Sequence, residues 1–276
     1  PLGRPILGTR ETVMGFTPDD LRDYLATHYL PGNMVLSAAG AVDHDAFVAL
    51  AREHFSALSA RPAQAPVAAR YSGGEAYLER DLMEVQLVLG FEGLSYGDPD
   101  YYAIQTLASI MGGGMSSRLF QEIRELRGLC YAIYSFHWSF QDTGVFAIHA
   151  ATGEEDIAEL FPVLLDEIAS ASASITQAEL DRARAQIRAG IMMAMESPAA
   201  RAGQIARQWL IHGEILSPEE IQARIDAVTL EDIHRVARTT FASRVTLSTI
   251  GPKGVRLNLE TVEAHLGSGV RRAVVG

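Results

Sequence analysis

A phrase near the start of this chain returns near its end, and that repetition constrains the fold more than any other feature of its 276 residues. The stretch Thr17-Pro18-Asp19-Asp20-Leu21 runs through Thr27-His28-Tyr29 to Met34-Val35-Leu36-Ser37 and Gly40, and reads as a capped helix followed by an apolar strand. Later, Thr229-Leu230-Glu231-Asp232-Ile233 leads through Thr239-Thr240-Phe241 to Val245-Thr246-Leu247-Ser248 and Gly251. Thr17 maps to Thr229 and Tyr29 to Phe241 at one offset of 212, and Leu36 to Leu247 at 211 after a one-residue deletion. If the second unit starts near Tyr71, after the loop-like Ala60-Arg61-Pro62-Ala63-Gln64-Ala65-Pro66, its marker Thr229 lies about 158 residues in. An equal first unit would start roughly 140 residues before Pro1. The chain is therefore expected to be the tail of one domain plus the whole of its twin.

Within the second unit, strands and helices are marked by different periods. Val85, Leu87, Leu89 and Phe91 alternate on one face of a strand over residues 84–91. Asp98-Pro99 starts a helix carrying Ile104, Leu107 and Ile110, which Gly112-Gly113-Gly114 ends. A second helix is expected from Ser116 or Ser117 to Arg127, stopped by Gly128. Strands over 130–140 and 145–151 follow, joined at Asp142-Thr143-Gly144. Beyond them the chain is mainly helical. Thr176 to Glu179 is a capping box, and Leu180, Ala183, Ile187, Ile191 and Ala194 form one apolar stripe. Ser197-Pro198 and Ser217-Pro218 each start a helix, and residues 253–276 read as a loosely ordered tail. The expected fold class is α+β, a sheet backed by a helical layer.

Charge and cysteine content narrow the function. Lys plus Arg at 23 against Asp plus Glu at 34 gives a net charge of −11, which lacks the attraction to phosphate that nucleic-acid binding needs. Basic peptides or small molecules are the better-matched partners. No apolar run reaches the roughly 18 to 20 residues that span a bilayer, so a soluble chain and no membrane partner are expected. A cytoplasmic location is expected, or a periplasmic one if a leader precedes Pro1. The single Cys130 forms no intrachain disulfide or multi-thiolate zinc site, and in an apolar strand it is expected as a buried, unreactive thiol.

Eight histidines, at 28, 44, 54, 137, 149, 212, 234 and 265, include no pair closer than ten residues, so no local zinc motif is present. The acids of Asp43-His44-Asp45 fit helix capping better than base orientation. The Gly112 to Gly114 run follows a helix and lacks a lysine, unlike a phosphate loop, and there is no Gly-x-Ser-x-Gly. One constellation remains. Arg124 falls in the last turn of a helix, Gly128 breaks it, and Tyr131 enters the next strand, so a guanidinium and a phenol can meet at the mouth of the sheet. Two such donors suit a peptide carbonyl or a developing oxyanion. On spacing alone the simpler account is that Arg124 complements a helix C-terminus and Tyr131 packs.

From Pro1-Leu2-Gly3-Arg4-Pro5-Ile6-Leu7-Gly8 to Gly251 the chain resembles the insulinase/pitrilysin family of zinc peptidases, with the mitochondrial processing peptidase β subunit and its bacterial relatives most similar. The points of likeness are that opening phrase, Met111 to Gln121, the Arg124 to Tyr131 block, Glu179 with Arg182, and Glu196-Ser197-Pro198 before Arg201. The resemblance implies paired homologous peptidase-like domains. The first, with zinc held by His-x-x-Glu-His and a later Glu, is expected to end in 1–62, with a linker over 63–72, the second domain over 73–252 and the tail over 253–276. It also implies that Arg124 and Tyr131 bind substrate backbone near the metal. The function so implied is the substrate-binding portion of a zinc endopeptidase that processes presequence-like peptides. The alternative is a non-catalytic partner or core subunit. The expected partner is a second copy or a homologous peptidase subunit. This chain contains no His-x-x-Glu-His, so no residue in it is expected to bind zinc, and by itself it is expected to be inactive.

Overall fold

The computed structural model describes residues 3–58, 61–62 and 65–275, with side chains as far as Gly267. Pro1 and Leu2 of the opening phrase, Ala60, and Ala63 and Gln64 of the expected linker lie outside the described residues. The chain divides into two compact units. One is the chain up to Ala69 together with Ile191–Leu216, and the other is Arg70–Gly190 with the chain from Ser217 onward.

The larger unit is a five-stranded sheet backed by helices. Strands β1 (Gly74–Glu79), β2 (Glu84–Gly93), β3 (Ala132–Ser139), β4 (Gly144–Gly153) and β5 (Thr246–Gly251) lie in the order β1-β5-β2-β4-β3. Only β1 and β5 run parallel, and Leu89 faces Leu247 on one side and Ile148 on the other. The alternation read from the sequence puts Val85, Leu87, Leu89 and Phe91 fully out of solvent on one face. Against this face lie α4 (Tyr101–Gly112) and α9 (Leu230–Phe241), with α5 (Ile157–Ser174) behind α9. Phe241 meets Phe91 and Phe146 edge-on, at centroid distances of 5.1 and 5.4 Å. Each such fully buried side chain contributes about 1.5 to 3 kcal/mol over its exposed state.

In this unit two local expectations differ from what forms, and one strand was not anticipated. The expected helix over 116–127 is irregular: residues 118–119 are α-helical and Phe120–Glu125 is a π-helical turn, closed by the Leu126 N–H donating to the Gln121 carbonyl. Hydrophobic spacing over two turns does not separate the two periods. The expected tail instead contains α10 (Leu259–Val275), because Val255, Val262 and Leu266 find the core. β1, unread in the sequence, is an exposed edge strand without the apolar alternation that marks β2.

In the smaller unit, α1 (Arg10–Gly15), α2 (Pro18–His28), α3 (His44–Phe55) and α7 (Pro198–His212) bury no residue of their own. The expected strand through Met34-Val35-Leu36-Ser37 has no ladder partner among the described residues. Ile191–Leu216, expected within a continuous second domain, groups with this unit. The reason lies in α6 (Gln177–Met195), whose stripe is buried at Leu180 and Ala183 but not at Ile187, Ile191 or Ala194. The larger unit's core holds only the start of that helix. α8 (Pro218–Asp226) then returns to it, burying Ile221 and Ile225.

Candidate functional site

The turn leaving the π-helical segment sets the geometry. Gly128 adopts φ +69°, in the left-handed region that favours glycine, and its N–H donates to the Arg124 carbonyl at 3.1 Å. Leu129 is buried, and its carbonyl accepts a 2.5 Å hydrogen bond from the buried Thr152 hydroxyl on β4. The chain is therefore held on both sides of the turn as it enters β3, and Tyr131 emerges 77% exposed.

Arg124 lies over this phenol. Its Cζ is 5.1 Å from the Tyr131 ring centroid and 4.6 Å from that of Phe120, one helical turn earlier. Stacking of this kind is worth about 0.5 to 1 kcal/mol at an exposed site and orients the guanidinium plane. Neighbouring arginines are engaged otherwise: Arg118 is bonded to Glu179 and Arg127 to Glu122. Among the described residues the Arg124 guanidinium makes no hydrogen bond or ion pair, to the helix-end carbonyls or elsewhere. The structure brings together the two residues that the spacing singled out, with the guanidinium N–H edges and the Tyr131 hydroxyl both available to a ligand.

Tyr131 also lines a cleft of about 640 Å³ at the end of the sheet. Leu82, Met83 and Ala151 give it apolar wall, and Glu84 and Asp156 supply carboxylates. Cys130 lines it too, half-buried, and burial pushes its thiol up to about 11, which opposes a nucleophilic role at neutral pH. Leu82, Met83, Glu84, Ala151 and Asp156 were not singled out in the sequence, because strand ends far apart in the chain bring them beside Tyr131.

The histidines serve other purposes. The Leu94 N–H donates to His137 Nε2 at 3.0 Å, and Nδ1 lies 3.2 Å from Gln105 Nε2. Burial lowers its pKa to about 4, so it is a neutral link between β2 and α4. His149 is also shifted down by burial, and its Nε2 lies 2.9 Å from Gln86 Oε1. Among the described residues no group of three or more His, Cys, Asp or Glu is gathered as a metal site requires. Asp43 caps α3, accepting from the Ala46 N–H at 2.8 Å. No helix of the described residues is long and apolar enough to cross a membrane.

Comparison with known proteins gives this geometry a context. A family model described as the peptidase M16 inactive domain matches residues 15–187. A protein of Rickettsia felis named an uncharacterized zinc protease is 39% identical over 257 residues, which are 93% of this chain and 62% of that protein. One of Bacillus subtilis with the same description is 32% identical over 255 residues, or 92% and 62% of the two. The crystal structure of a peptidase M16 inactive domain from Pseudomonas fluorescens superposes with a TM-score of 0.77 at 25% identity, covering 91% of this chain and 61% of that one. A chain of Complex III2 from Candida albicans, with Inz-5 bound, superposes with a TM-score of 0.83 over 96% of this chain and 66% of its own. At 23% identity that likeness is one of fold. The chain spans about three fifths of the length of the curated relatives it matches.

Proposed function

The chain belongs to the peptidase M16 family, as its inactive domain, and we propose that it is the substrate-holding portion of a zinc-dependent endopeptidase acting on extended, presequence-like peptides. The observation that carries this is Arg124 set over the exposed Tyr131 ring at the end of the sheet, its own side chain partly buried and without a hydrogen bond or ion pair among the described residues. In this reading the Arg124 N–H groups and the Tyr131 O–H donate to one peptide carbonyl, and the bonds strengthen as negative charge develops on that oxygen. The Phe120 and Tyr131 rings hold the guanidinium plane in place, so little ordering remains to be done when the peptide arrives. The described residues do not fit a zinc ion. Zinc is therefore assigned to the part of the longer protein this chain does not span, as the relatives' description as zinc proteases suggests.

A second reading is a non-catalytic subunit that binds peptides within an assembly. It draws on the fold shared with a chain of Complex III2. In either case the partner proposed is a second copy or a homologous subunit. The test is kinetic, in the longer protein. Arg124→Ala and Tyr131→Phe are each expected to lower kcat/KM about 10² to 10³-fold, with Arg124→Lys restoring part of the loss and melting temperatures unchanged. If both variants keep near-normal kinetics, the clamp reading fails. Intact peptide binding with no cleavage by the wild-type protein would establish the non-catalytic reading. KM for an Arg-rich peptide is expected to rise with salt more than that for a neutral one, given the charge of −11.

A further inference from the structure

Tyr131 sits one residue beyond the end of a ladder. The β3–β4 pairing closes at Ala132 opposite Ala151, so Tyr131 and Thr152, the next positions on the two strands, lie outside it. Thr152 is nonetheless firmly placed, because β4 is an interior strand and still pairs there with Val85 of β2. It is 2% exposed and follows Phe146, Ile148 and Ala150 on the face that meets the helices. A hydroxyl is out of character in that row. Valine has nearly the same shape, so what threonine adds there is a hydrogen bond.

That bond takes over where the ladder stops. The Thr152 hydroxyl donates to the Leu129 carbonyl, two residues before Tyr131 and 23 positions away in sequence. Leu129 is tied at its other end as well: its N–H donates to the Ile123 carbonyl at 3.0 Å, the closure that completes a helix stop at the left-handed Gly128. Ile123 immediately precedes Arg124. One residue thus joins the turn that carries the guanidinium to the interior of the sheet, and Cys130 and Tyr131 span the gap between that anchor and the Ala132 pair. Leu129 is 5% exposed, and without this donor its carbonyl must turn toward water to be satisfied, drawing the short span with it.

We propose that Thr152 is a positioning residue for the Arg124 and Tyr131 pair, its hydroxyl fixing, through Leu129, where the Tyr131 phenol stands beneath the guanidinium. The inference rests on the reading of that pair as a carbonyl clamp and adds to it the residue that sets its geometry. The hydroxyl proton is spent on Leu129, so Thr152 acts without donating to the peptide.

Kinetics of the longer protein, measured well below its melting temperature, test the role. Thr152→Val is expected to lower kcat about 10- to 100-fold with KM within about threefold, because the donors are displaced and not removed. Thr152→Ser, which keeps the hydroxyl, should stay within about threefold of wild type in both constants. In a Tyr131→Ala background Thr152→Val should cost under about threefold, since the side chain it positions is gone. Alkylation of Cys130, followed by mass at that residue, gives a readout free of activity: Thr152→Val should speed it about tenfold or more in the native protein and Thr152→Ser should not. If the longer protein binds peptide without cleaving it, Kd carries the same comparison, with Thr152→Val about tenfold weaker. Impaired Arg124→Ala and Tyr131→Phe beside an unimpaired Thr152→Val overturn this inference and leave the clamp standing. Normal kinetics in all three remove the clamp and this role with it. An equal loss from Thr152→Val in both backgrounds, or unchanged Cys130 alkylation, marks a hydroxyl that only stabilises the fold and overturns the proposal.

Discussion

Removing Arg118 tests how the turn that presents Arg124 is held. Its Nε donates to Glu179 Oε1 at 2.6 Å and its Nη2 to Oε2 at 3.1 Å, while Nη1 reaches the Ser174 hydroxyl at 2.7 Å and Nη2 the Ser174 carbonyl at 2.6 Å. The two ionic side chains are 14% and 15% exposed. Breaking a well-buried pair from one side typically costs about 3 to 5 kcal/mol. Glu179 here keeps 2.7 Å bonds from the Thr176 N–H and hydroxyl, so Arg118→Met is expected to cost about 2 to 3 kcal/mol. For a unit of this size that is a fall of roughly 5 to 10 °C in Tm.

The assay is urea unfolding in a Trp209→Phe background, where Trp138 of β3 is the remaining tryptophan and reports on the larger unit. A double-mutant cycle with Glu179→Gln should return a coupling of about 1.5 to 3 kcal/mol. Burial pushes the Glu179 carboxyl up, but hydrogen bonds from Arg118 and Thr176 and the guanidinium charge outweigh it and hold the group below its ordinary 4.5. A depressed acid contributes stability above its unfolded pKa and loses it as pH falls through the folded one. The gap between wild type and variant should therefore be full at pH 7 and narrow in acid below about 4.5. A cost under about 1 kcal/mol, a coupling near zero, or a gap that widens in acid would refute the reasoning.

Two further outcomes follow from particular contacts. Gly112→Ala is expected to cost about 2 kcal/mol or more, because a Cβ there overlaps the Ser135 backbone nitrogen and sits 2.8 Å from its hydroxyl. Gly114→Ala, which meets only the end of the Gln186 side chain, should be tolerated in the same denaturation series, and equal costs for the two would contradict this. A thiol raised from 9.0 to about 11 leaves about a hundredfold less thiolate at pH 8, so Cys130 should alkylate that much more slowly in the native chain than in urea. Equal rates would show that its burial is misjudged.

The candidate site was legible in part. The spacing Arg124, Gly128, Tyr131 carried both the helix stop and the approach of guanidinium to phenol, because a left-handed glycine and a strand entry act within a few residues. It did not show that Arg124 would be without an ionic partner while Arg118 is fully engaged, since Glu179 lies 61 residues away. Nor did it show the aromatic row of Tyr134, Phe136 and Trp138 on the open face of β3, whose rings meet tilted at centroid distances of 6.0 and 4.6 Å. Alternation defines two faces of this strand, but the buried one carries Ile133, Ser135, His137 and Ser139, so side-chain polarity points the wrong way and only the position of the helical layer says which face is inside.

The two repeated phrases separate the local from the tertiary. Thr17 with Asp20 and Thr229 with Asp232 were enough to start two helices in the same way, because a capping box is complete within four residues. Whether the apolar face behind each cap is core or surface was decided elsewhere in the chain. Phe241 is buried because Phe91 and Phe146, 150 and 95 residues away in sequence, close around it. Tyr29 carries the same pattern and is 52% exposed, because burial is a property of the surfaces that meet and not of the segment that offers one.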